Sequence, residues 1–532
     1  VGAQTVQEYK EIIIVGGGSA GWMTAAFLIK SFPNKKITLI EAPNIPIVGV
    51  GESTIGGIRN YCEYLGINIE DFLRYTNGSL KMSIKFTDFY KENSGGFHYP
   101  FGLPFFSENH RGQYDWLVAK ALNPELPIQD YVDAYFPAAS LFQQNKYSTN
   151  DHGLFDNFTP SRDVALHFDS TKFGSWLRER YAIPRGVKHI IAEVKHINSS
   201  FKNGVESLIL DNGDQYKADL YIDCTGWKSL LLGQTLKEPF ISYKDILPNN
   251  KAWATQLPYI DKEKEIEPFT NCTAIANGWV WNIPLWSRIG TGYVYSNEFI
   301  SEEDALVEFK NHLSSNKMLF PRNKDQIESL QYRDISMRVG IHERTWVNNV
   351  IAIGLSAGFI EPLESNGLFT IHEFLFRLLK TLQRPQISQI EKDFYNMATF
   401  ELFNNFAQFV SQHYLLSQRD DSEYWRAARL RPYNKITNNL NKNIEYRSLL
   451  DNKYHNKNID QQAGINYISV GMNYFVYDQM DIAYDLHYGH LNLKDYENIY
   501  WPALNKNKKR WMHAANFEPT LYEYLNKNIY RG

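Results

Sequence analysis

Residues 11–15, Glu-Ile-Ile-Ile-Val, form a short apolar run, the pattern of a parallel strand buried on both faces. The turn Gly16-Gly17-Gly18-Ser19-Ala20-Gly21 follows, then an apolar helix over 22–31. A second strand runs from Lys36 to Ile40 and ends at Glu41. The order is a βαβ unit with G-x-G-x-x-G at Gly16, Gly18 and Gly21. Residues 12–29 are apolar enough to suggest a membrane span, but three consecutive glycines with Ser, Trp and Thr favour strand, turn and helix.

Further along, residues 43–51 read as a Pro/Gly/Val loop, and 68–90 mix helix and strand. Residues 91–165 are rich in Gly, Pro and aromatics and look irregular. The pattern then predicts a helix over 167–181 and strands over 187–197, 205–210 and 215–223. Asp211-Asn212-Gly213-Asp214 is a hairpin turn between the last two. Residues 250–300 read as β-rich, and 350–353 as another buried strand. An amphipathic helix over 367–380 carries Leu368, Ile371, Leu375 and Leu378 on one stripe. Beyond 390 the chain reads as mostly helical, and beyond 430 it is rich in Asn, Lys and Tyr.

At 532 residues the chain can bury a large core, as one elaborated domain or two fused lobes. The 34 Tyr, 32 Phe and 12 Trp offer flat walls for a planar ligand, although most of them serve as core. A net charge of −4, spread along the chain, provides no basic groove for nucleic acid. The basic run Asn505 to Arg510 is short and reads as a solvated helix end. Cys62, Cys224 and Cys272 are odd in number and widely spaced, which argues against a disulfide framework or a zinc site and fits a reducing cytoplasm. No signal peptide is expected ahead of the first strand, no metal is expected, and a homo-oligomer is compatible with the sequence.

The glycine turn presents backbone N–H groups and a helix N-terminus to a pyrophosphate. Glu41, 20 residues past Gly21, stands where a carboxylate accepts ribose hydroxyls. The plainer alternative is a glycine turn used only for close packing. The loop alone leaves FAD and NAD open. Two later strand ends, Asp223-Cys224-Thr225-Gly226 and Ile353-Gly354-Leu355-Ser356-Ala357, favour FAD, because late strands return to the nucleotide in large FAD folds. No second G-x-G-x-x-G marks a nicotinamide domain, so the flavin would be reduced elsewhere and delivered. The expected fold class is α/β, a Rossmann-like FAD-binding fold of the flavin-monooxygenase type. A β-rich substrate region is expected at about 91–165 and 240–330, inserted in a core over 1–430. Residues 431–532 are expected to form a mostly helical lid or wall packed on that core.

Several segments resemble, in order, the flavin-dependent tryptophan halogenases. They are Gly16 to Trp22, the loop Val48-Gly49-Val50-Gly51-Glu52-Ser53, and Asn77-Gly78-Ser79-Leu80-Lys81. Trp279-Val280-Trp281-Asn282-Ile283-Pro284 and Phe359 to Gly367 follow, and Tyr424-Trp425-Arg426 is the last clear piece. The glycine loop is weakly specific. The Trp-x-Trp-x-Ile-Pro and Glu-Pro-Leu-Glu-Ser segments together are strongly so.

The resemblance implies an enzyme that uses FADH2, O2 and chloride, bromide or iodide to make hypohalous acid. That oxidant passes through an interior tunnel to a lysine beside an electron-rich ring, while the flavin supplies the oxygen chemistry. Lys81 matches the lysine, and burial would lower its pKa; read alone it would be a solvated surface residue, with Lys85 the nearest decoy. Glu364 matches the active-site glutamate that polarises the oxidant or takes the ring proton. Its plainer reading is a helix-cap carboxylate, and Glu361 is the competing acid. Gly16, Gly18, Ser19, Ala20, Gly21, Glu41, Ala42, Val50, Val194 and Leu355 are the expected FAD-binding positions. The free N–H groups at Asn366 and Gly367 would hold the halide. A Thr usually stands at the Asn366 position, so a larger halide such as bromide or iodide is the expectation. Trp279 and Trp281, on one face of a strand, and Phe101 would wall the substrate; core packing is the alternative for the tryptophans.

The His98-Tyr99-Pro100-Phe101-Gly102 piece departs from the family, with a tyrosine where a histidine is expected. No segment after Arg426 matches the region that recognises free tryptophan, and Asn466 to Asp485 is instead rich in Tyr and Phe. The expected substrates are therefore electron-rich aromatics of indole or phenol type, with a separate flavin reductase as partner. The Asn/Lys/Ile-rich composition resembles that of AT-rich microbial or viral proteins. A marine viral family member, working in the host cytoplasm, is a closer expectation. The rival readings are an FAD-dependent hydroxylase and a non-catalytic FAD-binding protein.

Overall fold

A computed structural model of the chain describes residues 9–43, 52–105, 113–432, 464, 467–474, 487–489 and 492–531. Its contacts divide into two compact units, each assembled from three separated stretches. The first comprises Val1–Gly78, His167–Asn250 and Ile335–Ala407; the second comprises Ser79–Leu166, Lys251–Asp334 and Gln408–Gly532.

The first unit is built on a sheet ordered Trp346–Val347, Val350–Ala352, Leu220–Asp223, Glu11–Val15, Lys36–Glu41 and Lys188–Ile191. All neighbours are parallel except the Trp346–Val347/Val350–Ala352 hairpin at one edge. The Ile12-Ile13-Ile14-Val15 run is buried throughout, as a two-sided parallel strand requires. The helix Ser19–Ser31 starts inside the glycine turn, and every residue from Gly21 to Ile29 is buried. It is apolar on all sides because it is enclosed on all sides. Asp211–Asp214 does turn the chain between Gly204–Leu210 and Gln215–Tyr216, with Gly213 at φ +85°.

The 167–181 helix is present from Ser170, as α-helix to Trp176 and π-helix to Ala182, and only its start is corrected. Ala165–Phe168 is a buried strand, with Ser53 and Glu52 opposite His167 and Phe168. Helix begins only at Ser170, where Asp169 caps it by accepting from the N–H groups of Thr171 and Lys172. Tertiary pairing decided the strand against a helical pattern.

In the second unit, strands Lys251–Leu257, Ile289–Tyr295, Gly278–Pro284, Phe269–Ile275, Ser83–Thr87 and Gly96–Pro100 lie side by side in that order. Ser83–Thr87 runs parallel to Phe269–Ile275, and the other neighbours are antiparallel. Helix Glu302–Ser314, capped by Ser301, packs Ala305, Phe309 and Leu313 into a core with Val280, Tyr293 and Tyr295. The β-rich expectation for 91–165 is corrected. Among the described residues of that stretch, apart from Gly96–Pro100 and the start of Ala165–Phe168, the regular elements are short helices at Gln113–Leu122, Asp130–Tyr135, Ala139–Phe142 and Pro160–Asp163. Prolines at 124, 127, 137 and 160 punctuate it, because proline opens helices but cannot sit inside one or donate to a ladder.

The C-terminal helices Trp501–Ala515 and Leu521–Leu525 belong to this second unit. Lys508 pairs with Asp130, the Trp511 indole N–H donates to Asp156 at 2.8 Å, and Tyr530 stacks on Trp286 at 4.1 Å. Most of the Asn466–Asp485 segment lies outside the described residues.

Candidate functional site

The ends of the parallel strands of the first unit build a cradle. Val15 lies opposite Asp223, and the Cys224 N–H donates to the Val15 carbonyl at 2.8 Å. Gly16 has φ +114°, and a Cβ there would lie 2.2 Å from the Cys224 carbonyl oxygen. A Cβ on Gly21 would lie 1.8 Å from the Gly16 carbonyl oxygen, and one on Gly17 would lie 2.1 Å from the Glu41 carboxyl carbon. At Gly18 it would meet open space. Gly18 is the N-cap of the Ser19–Ser31 helix, with no side-chain cap and no acid in the first turn. The N–H groups around Ser19, Ala20 and Gly21 are thus presented at a bare, positive helix end, the arrangement that receives a pyrophosphate. This cradle fits a dinucleotide.

Glu41 has a companion that the sequence did not reveal. His189, on the neighbouring strand, places Nε2 3.0 Å from the Glu41 carboxylate, and its ring stands edge-on to Trp22 at 5.0 Å. The contact joins residues 148 apart, so no local pattern announces it. Ala42 follows Glu41 half-buried, and half-buried Val194 opens the strand Val194–Ser200. Val50 and the loop around it lie outside the described residues. Leu355 sits in the turn Gly354–Ser356. A Cβ on Gly354 would touch Ala20 at 2.7 Å. Ser356 donates to the Gly226 carbonyl at 3.3 Å, and Ser229 donates to the Ser356 carbonyl at 2.9 Å. These bonds tie the two late strand ends to each other.

The acidic motif follows in the same unit. Glu361 and Glu364 are both buried. The Asn249 amide donates to Glu361 at 2.7 Å, which commits that acid to a fixed partner. Glu364 closes the turn Pro362–Glu364, and Ser365 adopts φ +55° before the helix Gly367–Leu382 begins. Asn366 is the N-cap and no side chain caps the helix. The Asn366 Oδ1 is buried with no hydrogen-bond partner among the described residues. Oxygen and nitrogen of such an amide are assigned by their partners, so the reversed amide would present N–H to an anion. Gly367 is exposed, with open space beside its Cα.

The lysine and the tryptophans belong to the second unit. Lys81 ends the strand Ser79–Lys81 and is 0% exposed, and its Nζ lies 5.1 Å from the Phe101 ring centroid. The Phe101 N–H donates to the Met82 carbonyl at 2.9 Å, which fixes the ring beside the amine. The substituted Tyr99 packs edge-on to Phe101 at 6.2 Å. His98 shares Nδ1 with the Ser83 hydroxyl at 2.9 Å and stacks on Phe142 at 4.4 Å; burial, with Lys85 adding, holds it well below the usual histidine range. Lys85 is different from Lys81. It is half-buried near Phe269, and its charge opposes the burial that pushes Glu267 up to about 7.

Trp279 and Trp281 alternate inward on one strand face, with centroids 6.2 Å apart. Gly292 stands opposite Trp281, and a Cβ there would run 2.2 Å from the indole. Only a glycine lets the indole lie flat across that strand. The Trp281 Nε1 is buried with no hydrogen-bond partner among the described residues.

Comparison with known proteins agrees with this geometry. A family model described as tryptophan halogenase matches residues 11–473. Tryptophan 7-halogenase RebH of Lentzea aerocolonigenes is 33% identical over 431 residues, 78% of this chain and 78% of its own. The solved structure of VirX1 in its apo form superposes with a TM-score of 0.89 at 35% identity, covering 98% of this chain and all of that one. Xcc4156, a flavin-dependent halogenase from Xanthomonas campestris, superposes with a TM-score of 0.82 at 25% identity, covering 98% and 99%. Among the described residues, no helix is long and apolar enough to cross a membrane. A cradle shaped for a dinucleotide, a buried lysine against an aromatic ring and a match over most of the chain place this protein in the tryptophan halogenase family, as a flavin-dependent enzyme that halogenates aromatic substrates.

Proposed function

We propose that Lys81 delivers hypohalous acid to an electron-rich indole or phenol ring, with Glu364 as the assisting carboxylate. The observation that carries this reading is the complete burial of Lys81 against the face of Phe101. A lysine is rarely buried without a purpose, and an amine beside an aromatic wall suits a reactive oxygen acid held next to a flat substrate. When bound, FAD supplies the activation of O2 that oxidises the halide. The Lys81 ammonium donates a hydrogen bond to the oxygen of hypohalous acid. Halogen moves to the ring carbon as the oxygen–halogen bond breaks, the departing hydroxide takes a proton from the Lys81 ammonium and leaves as water, and the ring proton passes to the Glu364 carboxylate, so that exchange with solvent resets both groups. Glu364 is preferred to Glu361 because it is the acid that Ser365 follows, the position that matches the family's motif.

The bare start of the Gly367–Leu382 helix and the Asn366 amide hold the halide, and the Asn side chain favours bromide or iodide. FADH2 arrives from a separate flavin reductase, and the enzyme works in the cytoplasm, of a host cell if the protein is viral. The Trp279 and Trp281 rings exclude the substrate from the flavin, so halide is oxidised in its place.

Incubation with a flavin reductase, NADH, O2, each halide and a panel of indoles and phenols tests the reading by product mass. The expected result is halogenated product with bromide or iodide exceeding chloride. Oxygenated product independent of halide would convert the reading to a hydroxylase. Glu364→Gln is expected to lower the halogenation rate with FAD affinity intact, and an unchanged rate removes Glu364 from the mechanism.

A further inference from the structure

Arg338 lies two residues before the strand Gly340–His342 in the first unit, and the site described above does not use it. Its guanidinium carbon lies 4.2 Å from the Phe240 ring centroid, so an aromatic face supports it on one side. Its Nε and Nη2 are buried and have no hydrogen-bond partner among the described residues. An arginine cannot shed its proton to escape this situation, and unmet charged donors are costly to bury.

The groups around it are already committed. The Asp223 carboxylate accepts from the Thr225 N–H and hydroxyl at 3.0 and 2.7 Å and from the N–H groups of Leu231 and Leu232 at 2.7 and 2.9 Å. His342 directs Nε2 to Ser229 at 3.2 Å and Nδ1 to the carbonyls of Glu238 and Pro239 at 3.0 and 3.2 Å. The strand Gly340–His342 pairs with Gly358–Phe359, shortly after the turn Gly354–Ser356, which seats Arg338 beside the late strand ends. Burial holds the guanidinium below its ordinary range, with the Asp223 charge opposing. Asp223 ends the strand that pairs with Glu11–Val15 at the mouth of the glycine turn. Ligands of open parallel sheets bind at this carboxyl edge.

We infer that Arg338 is a cofactor-binding residue whose two unmet N–H groups donate to an anionic or carbonyl oxygen of FAD. The inference rests on the FAD reading. The same chemistry is offered by the diphosphate and by the pyrimidine edge of the flavin ring. A guanidinium fork meets either with paired donors, whereas a lysine would supply only a point charge.

The test uses the full chain with Arg338→Met and Arg338→Lys, each checked for an unchanged circular dichroism spectrum and melting temperature without flavin. FAD and ADP are titrated by fluorescence and calorimetry. Arg338→Met is expected to weaken FAD about ten- to a hundredfold, the weight of one or two charge-assisted hydrogen bonds. Arg338→Lys is expected to recover part of that loss. A parallel fall in ADP affinity places the fork on the diphosphate, and an unchanged ADP affinity places it on the flavin ring. Folded Arg338→Met that binds FAD as tightly as the parent overturns the inference, including where only bromide dependence changes. A parent chain that binds no FAD defeats the FAD reading itself.

Discussion

The parallel sheet of the first unit and the mainly antiparallel sheet of the second place their chemistry in different atoms. In the first, the cradle is made of backbone: glycines at 16, 17, 18 and 21, a bare helix end and the carboxyl ends of strands. In the second, it is made of side chains: Lys81 against Phe101, and Trp281 laid over Gly292. Backbone geometry recognises what every dinucleotide shares, the phosphates and the ribose. Side chains on a strand face can be exchanged one at a time without disturbing the ladder. The first surface is therefore generic and intolerant, and the second is particular and tunable.

The sharpest test of that contrast is a pair of variants with opposite readouts. Lys81→Ala is expected to cut halogenated product about a hundredfold or more while FAD titrates as in the parent. Gly21→Val is expected to abolish FAD binding, because its Cβ would meet a backbone oxygen that cannot move aside. If Lys81→Ala loses FAD as well, the division between backbone and side-chain chemistry fails. A milder probe is Gly292→Ala, which pushes a methyl group into the Trp281 indole. Overpacking of this kind costs about 1–3 kcal/mol. Urea unfolding followed by tryptophan emission should show both the lost stability and a shifted spectrum, with FAD affinity unchanged.

The smallest effect concerns acid. His372 is buried beside the rings of Tyr61, Phe369 and Phe376, and burial pushes it down to about 3. Its folded pKa lies below its unfolded value, so the unfolded chain binds the extra proton. The stability it confers is complete above pH of about 6.5 and drains away as pH falls toward 3. His372→Phe should flatten the pH dependence of unfolding between pH of about 6 and 4 by up to about 1.4 kcal/mol per pH unit. An identical slope in both proteins would mean that His372 stays neutral when unfolded or charges when folded.

Much of the first unit was legible because its signals are local. The isoleucine run, the glycine turn and the acid 20 residues on lie within about thirty residues, and each has a steric or dipolar reason. Lys81, Glu364 and Phe101 were singled out through motifs, and the structure buries the first two and sets the Phe101 ring beside Lys81. What escaped was made by distance along the chain. His189 is defined by Glu41, Arg338 by Phe240 and Asp223, and Gly292 by Trp281. His167 and Phe168, which end the strand Ala165–Phe168, were read as the start of a helix because their partner, Glu52–Ser53, lies more than a hundred residues upstream. The 91–165 stretch was expected to be β-rich, but its prolines divide it into helical turns, a case where punctuation outweighed aromatic content.

The stitching of the second unit from three stretches has a consequence for how the chain is born. Strand Ser83–Thr87 waits for Phe269–Ile275, Asp130 waits for Lys508, and Trp286 waits for Tyr530. Loop closures of this span are slow, and a ribosome releases each later partner long after the earlier one. Nascent chains must therefore carry half-paired apolar strands and unpartnered aromatic faces until those distant partners emerge, so chaperone supply and low growth temperature should govern the yield of active enzyme more than codon choice or promoter strength.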